Sequence, residues 1–177
     1  GGQYASNYDY GTNKIQIFDK ASKTWTTNDV NLSKENIQFT AQFYNNKFYM
    51  FGGVKVTGTD VQYNAIEVFD PAANTVTTLA STLPRNMYGM SSVLIGDKVY
   101  IFGGYDVKEA DAAEKYLDEI YIYDIGDDTL TKSTSTMKKR RHYSSAVALD
   151  DDRILIVGGN NAVESSSYEK STEIFTI

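Results

Sequence analysis

Short apolar runs recur along the chain at near-even intervals, and three of them end in a pair of glycines. Phe48 to Phe51 runs into Gly52-Gly53, Val99 to Phe102 into Gly103-Gly104, and Ile154 to Val157 into Gly158-Gly159, while a fourth pair, Gly1-Gly2, stands at the start. Ahead of each run sits a second apolar stretch, separated from it by Asn45-Asn46, Gly96-Asp97 or Asp150 to Asp152. These turn residues can take positive φ, so 39–51, 90–102 and 144–157 each predict an antiparallel hairpin. After each glycine pair come a loop and an alternating segment: Ile15-Gln16-Ile17-Phe18-Asp19, Ile66-Glu67-Val68-Phe69-Asp70, Ile120-Tyr121-Ile122-Tyr123-Asp124, and Glu173-Ile174-Phe175. Alternation with period two predicts a strand in each. In the first three, the closing aspartate is followed five residues later by Thr24-Trp25, Thr75-Val76 or Thr129-Leu130. An aspartate side chain accepts hydrogen bonds from amides just ahead of it, which is the chemistry of a tight turn between two antiparallel strands.

Each unit therefore has four strands, a to d: a leads into the first turn, b ends at the glycine pair, c ends at the aspartate and d begins at the threonine. A double glycine closing an apolar strand, a long loop, an I-x-V-F-D strand and an aromatic after the turn together resemble the kelch repeat, whose period is about 50 residues. The resemblance covers nearly the whole chain and implies an all-β fold made of β-propeller blades, each a four-stranded antiparallel sheet. One departure is that the aromatic after the c–d turn is Trp only at Trp25, with Val76 and Leu130 in the later units. Looser packing at the rims of those blades is the expectation.

The units divide the chain into a partial blade at 1–36 (strands c and d), blades at 37–83 and 84–137, and a partial blade at 138–177 (strands a to c). That is thirteen strands, or about three blades. Closed propellers have about four to eight blades, because every blade buries both faces against neighbours. The expectation is an incomplete ring from a six- or seven-bladed propeller, or self-association or a partner chain that completes it.

Composition narrows the chemistry. A formal net charge of −6 and a pI near 4.8 argue against a nucleic-acid partner, since phosphate binding needs a basic surface. No apolar run reaches the roughly 20 residues of a membrane helix. Absent cysteine removes disulfides, thiolate metal sites and cysteine nucleophiles together. It also removes a copper radical oxidase of the galactose oxidase kind, which the resemblance brings to mind and which needs a Cys–Tyr cross-link and several histidines. No cofactor and no metal is expected. Asp150 to Asp152 reads as a polar turn rather than a calcium site, and the run Lys138 to Arg141 as a solvated loop. The segment Lys108 to Leu117, rich in Ala, Glu and Lys, is expected to add helical turns to its loop.

Antiparallel order puts the short a–b and c–d turns at one end of the blades and the long, dissimilar b–c loops with the d–a crossings at the other. Loops on a rigid scaffold carry recognition, so the b–c/d–a end is the candidate site. It gathers Tyr4, Tyr8, Tyr10, Tyr63, Tyr105, Tyr116 and Tyr168 from b–c loops, and Arg85, Tyr88, Arg140, Arg141, His142 and Tyr143 from d–a crossings. The binding set selected from these is Tyr63, Arg85, Tyr88, Tyr105, Arg141 and His142, because Tyr and Arg are common interface anchors. The family pattern P-R-x-x-[HY] resembles Pro84 to Tyr88 and, more loosely, Lys138 to His142. Arg85 and Arg140 or Arg141 either reach a ligand or hydrogen-bond backbone carbonyls between blades. His142 has no carboxylate placed by local sequence to orient it as a general base. The expected function is non-catalytic recognition of a protein or glycan at the cell surface or outside a bacterial cell. The alternatives are part of an extracellular carbohydrate-active or sialic-acid-isomerase-like kelch enzyme, and a structural spacer in a bacterial surface protein.

Overall fold

The computed structural model describes residues 2–3, 11–55, 61–109, 114–161 and 168–177, which form strands joined by turns and contain no helix. In chain order the strands are β1 (Gly2–Gln3), β2 (Gly11–Thr12), β3 (Lys14–Asp19), β4 (Thr24–Asn31), β5 (Thr40–Tyr44), β6 (Lys47–Phe51), β7 (Val54–Lys55), β8 (Val61–Gln62), β9 (Ala65–Asp70) and β10 (Thr75–Thr82). They continue as β11 (Ser91–Ile95), β12 (Lys98–Phe102), β13 (Ile120–Asp124), β14 (Thr129–Lys132), β15 (Ser145–Ala148), β16 (Arg153–Val157) and β17 (Thr172–Thr176). Thirteen of these are the strands the alternation predicts. The other four, β1 with β2 and β7 with β8, are two-residue ribbons inside the b–c loops, too short to leave a periodic signal.

Two sheets carry all four strands in the order a-b-c-d: β5-β6-β9-β10 and β11-β12-β13-β14. The strand pair β3-β4 forms a c–d sheet and β15-β16-β17 an a–b–c sheet, with every pairing antiparallel. The turns use the expected chemistry. Asn45 and Asn46 stand at φ of 46° and 60°, the left-handed pair of a type I′ hairpin. Asp70 Oδ1 accepts from the amides of Ala72 (2.9 Å) and Ala73 (3.1 Å), and Asp124 Oδ1 from those of Gly126 (3.0 Å) and Asp127 (3.3 Å). Asp19 likewise takes the Ser22 amide at 2.6 Å. Asp150 spends its carboxylate on the Asp152 amide and on Arg153, so it stitches its own turn.

The sheets stack face to face. Phe51 and Ile66 of one sheet pack on Val99, Ile101 and Tyr123 of the next, and Phe102 and Ile120 of that one pack on Ile154 and Ile156. These are the buried seams whose apolar area drives the fold, at about 25 cal/mol per Å². A smaller cluster, Leu32, Met50 and Phe69 with Ile15 and Phe39, joins β3-β4 to the sheet after it. At the inner edge the a strands stand side by side: Thr40 and Ser92 share a hydroxyl bond of 2.5 Å, Gln42 Nε2 donates to the Ser92 carbonyl at 2.9 Å, and the Ser91 and Ser144 hydroxyls meet at 3.1 Å. Polar inner strands and apolar faces between sheets are the layering of propeller blades around an axis.

One expectation fails. Val76 and Leu130 pack against the cores between blades, whereas Trp25, the aromatic in the expected position, is 67% exposed. Rim packing follows what lies opposite each side chain, and among the described residues Trp25 meets the Phe18 ring at 5.1 Å without a further sheet packed over it. The middle of the stretch 108–117, expected to add helical turns, lies outside the described residues at 110–113; its described ends show turns and an isolated bridge at Tyr116.

Candidate functional site

The b–c/d–a end is built on a repeated backbone frame. Each d–a crossing pairs with the start of a b–c loop: Ile37 with Val54 (N–H to O, 2.9 and 3.0 Å), Tyr88 with Tyr105 (3.2 and 2.9 Å), and His142 with Asn160 (2.9 and 2.6 Å). The loop then returns beside its own start, putting Gln62 next to Val54, Tyr116 next to Tyr105 and Tyr168 next to Asn160. The residue after the crossing's paired position is left-handed each time: Gln38 (φ 58°), Gly89 (66°) and Tyr143 (57°). The frame thus fixes the alignment of the crossings. His142 corresponds to Tyr88, Lys139 to Arg85, and Arg141 to Met87.

This frame concentrates aromatic residues over two blades. Tyr88 and Tyr105 lie 5.5 Å apart between ring centroids, and Tyr105 and Tyr116 5.0 Å apart at 76°. His142, from the neighbouring blade, contacts all three, at 5.2 Å (81°), 5.3 Å and 6.0 Å. Tyr143 covers the imidazole from outside at 3.6 Å and is itself 51% exposed. Edge-to-face and tilted rings at these separations are mutually attractive. The corresponding positions one blade earlier are Ile37, Val54 and Gln62, so among the described residues the cluster lies on one side of the face.

His142 is 7% exposed, and its Nε2 has no hydrogen-bond partner among the described residues. Gly89 lies against that edge: a Cβ there would fall 2.3 Å from Cδ2 and 2.5 Å from Nε2. Burial lowers the imidazole pKa to about 4, so the ring is neutral at physiological pH. It contributes a flat, uncharged surface, and no carboxylate orients it through Nε2. Among the described residues no three His, Cys, Asp or Glu side chains come together as a metal set.

Arg141 belongs to a different structure. Its side chain is fully buried, with Nε and Nη2 donating to Glu173 Oε1 (3.1 and 2.9 Å), Nη1 to the carbonyls of Gly158 (2.6 Å) and Ser171 (3.1 Å), and Nη2 also to Ser171 Oγ (2.8 Å). Of the two readings open to it, the geometry is that of the carbonyl-bonding one. No donor is left to reach a ligand, because the residue occupies a core position that Met87 fills in the preceding blade.

A family model, the KLHDC2/KLHL20/DRC7 kelch-repeats domain, matches residues 1–174. The chain belongs to the kelch-repeat family. No curated protein matches it. Kelch-repeat domains are generally non-catalytic, and the general role this membership carries is that of a protein-interaction module.

The remaining sequence-predicted residues take separate places on the kelch face. Arg85 is part-exposed and bridges Glu109 (2.9 Å) and Glu119 (3.3 Å), beside a polar groove of about 230 Å³ that Tyr116 also lines. Tyr63 lies apart from the cluster: it occupies the buried position of Leu117, its ring carries Lys34 Nζ 4.9 Å from the centroid, and burial raises its hydroxyl pKa. Tyr168 is 76% exposed on the last blade. Tyr4, Tyr8 and Tyr10 lie outside the described residues. Tyr88, Tyr105 and His142 of the selected set are therefore brought together, joined by Tyr116 and Tyr143. Sequence reasoning passed over Gly89 and Gln62. Gln62 ties neighbouring b–c loops by donating to the Tyr105 carbonyl (3.2 Å) and accepting from the Val107 amide (3.2 Å), a contact across 43 residues that no local pattern signals. The basic run is dispersed: the Lys138 and Lys139 amides cap Glu173, Arg140 lies 3.8 Å from Asp118, and Arg141 is core.

Proposed function

We propose that this kelch domain recognises a protein partner through the b–c/d–a face, with Tyr88, Tyr105, Tyr116 and Tyr143 around neutral His142 as its anchor. The observation that carries the reading is the packing of five aromatic rings against one another at the loop end, where the equivalent positions of the previous blade are Ile37, Val54 and Gln62. Tyrosines give large contact area with little entropy to lose, and their hydroxyls satisfy polar groups of a partner. Rings pre-packed on one another pay little to become ordered on binding. Arg85, held by Glu109 and Glu119, flanks the cluster as a polar rim.

A photo-crosslinking amino acid in place of Tyr143 tests the face against one in place of Asp127, which sits on a c–d turn at the opposite end. Adducts with a defined protein at 143 and none at 127 are expected, and Tyr143→Ala should then weaken that partner about 30-fold, the scale of a central aromatic anchor. Crosslinks confined to 127, or binding unchanged by Tyr143→Ala and Tyr116→Ala in folded protein, would put the interface elsewhere. A glycan bound by the same tyrosines, with no protein adduct, would change the ligand class while keeping the face.

A further inference from the structure

Packing alone leaves one property of His142 unexplained. The ring is buried, yet its Nε2 has no hydrogen-bond partner among the described residues. A buried nitrogen in that state is costly, and native folds rarely keep one. The atom faces the space over Gly89. A Cβ built on Gly89 would lie 2.5 Å from Nε2 and 2.3 Å from Cδ2, and the next nearest atom is Cε1 of Tyr143, at 3.0 Å. Because residue 89 has no side chain, the notch between its backbone and Nε2 is closed by the edge of the Tyr143 ring. Tyr88, Tyr105 and Tyr116 pack against the same imidazole and hold it in place.

Tyr143 carries a cost at the same place. Its φ is 57°, a left-handed value that bulky side chains rarely take, where the preceding repeat has Gly89 at 66°. Strained backbone beside an unsatisfied polar atom is a feature of ligand clamps. Given the loop-face reading, on which this rests, we infer that the Tyr143 ring is a gate over an amide subsite. The partner inserts an uncharged amide, from a carboxamide side chain or an exposed peptide group, in place of the ring and hydrogen-bonds it to His142 Nε2. Three features select an amide. The slot is flat, since the Tyr143 and His142 rings stack 3.6 Å apart between centroids. An amide carries both a donor and an acceptor, so it bonds Nε2 in either neutral tautomer. Burial is the one cause that depresses the imidazole pKa, with no contribution from a charged side chain, so nothing at the notch would neutralise an ion. Displaced from the imidazole, the Tyr143 ring packs along the flank of the inserted group and keeps its share of the interface.

His142 is the single histidine, so a histidine reagent followed in the full chain reads this ring alone. Diethyl pyrocarbonate acylates neutral imidazole, and its rate at residue 142 follows the fraction of molecules whose notch is open. Tyr143→Ala should raise that rate at least about tenfold, because the gate is gone, and Tyr143→Phe should keep it slow. Tyr168→Ala, on the same blade, should leave it unchanged. Acetamide is the amide probe. It should slow acylation of the Tyr143→Ala chain saturably and move the His142 Nε2 nitrogen resonance, while acetate and methylammonium at equal concentration should do neither. Equal rates in the wild type and Tyr143→Ala, or equal effects of the three probes, overturn the inference. So does a Tyr143→Ala rate that climbs steeply in mild urea, which marks unfolding rather than an open notch. These readouts use the chain alone. Crosslinks lost at 143 with these results intact would therefore condemn the loop-face reading and leave the amide subsite standing.

Discussion

The two d–a crossings at 84–90 and 138–144 follow one backbone path with opposite chemistry inside it. In the first, Met87 is a fully buried apolar plug, Pro84 offers no amide hydrogen, and strand c carries Tyr121, whose hydroxyl donates to Glu119 at 2.5 Å. In the second, Arg141 fills the plug position, Lys138 and Lys139 present amides, and strand c carries Glu173 at the place of Tyr121, accepting from both amides (2.5 and 3.1 Å) and from the guanidinium. The crossing before β5 is intermediate: Glu67, again at that strand c position, takes the Ser33 amide at 2.9 Å, and Asn36, at the plug position, donates to the Gly52 carbonyl at 2.8 Å, as Arg141 does to Gly158. The acid is present where an amide needs a partner and absent where proline removes the donor. A buried charge is tolerated here because every donor of the guanidinium is engaged, and the set stands or falls together.

The largest effect should come from breaking the charged set. Arg141→Ala leaves the Glu173 carboxylate buried without its cation and is expected to cost about 3–5 kcal/mol in urea unfolding. Converting the second crossing to the first, with Lys138→Pro, Arg141→Met and Glu173→Tyr together, should recover all but about 1 kcal/mol, since apolar replacement of a complete buried ion pair is close to neutral. If the triple variant is as unstable as Arg141→Ala, the two crossings are not interchangeable.

Next is the pH dependence of His142. Its folded pKa is lowered by burial to about 4 from an ordinary 6.5, so the unfolded chain binds the proton first. Stability from this group is full above pH 6.5, falls as pH drops towards 4 and is level below, a loss of about 3 kcal/mol. His142→Tyr, copying Tyr88, should remove that component from the difference between unfolding curves at pH 7 and pH 4. A smaller cost, about 1–3 kcal/mol, is expected for Gly89→Ala, because the added methyl meets the imidazole. The left-handed φ of 66° adds strain of its own for any side chain, a strain that Gln38 and Tyr143 also carry at the corresponding positions. Pairing Gly89→Ala with His142→Ala should reduce the cost. The smallest effect, within about 1 kcal/mol, belongs to Pro84→Ala, which adds an amide at a crossing lacking the glutamate.

Much of the loop face was legible, because its residues follow from strand parity: once Gly103-Gly104 ends strand b and Asp124 ends strand c, Tyr105 and Tyr116 must lie at the same end as Tyr88 and His142. Which of them touch was not legible. Tyr63 and Tyr116 read alike in sequence, yet one is a packing residue at Leu117's position and the other faces His142. Arg141 read as an interface anchor because its identity is that of one, and only the pairing of the Gly104 amide with its carbonyl at 2.8 Å shows that it takes Met87's place inside.

The sequence by itself determined the strands, their turns and the membership of four repeating units, since period-two alternation, left-handed asparagines and aspartate-capped turns act over a few residues. The tertiary structure decided the meaning of individual side chains. Burial, the neutral state of His142, the pairing of Arg141 and the exposure of Trp25 depend on which sheet stands opposite, and those neighbours lie about 50 residues away along the chain.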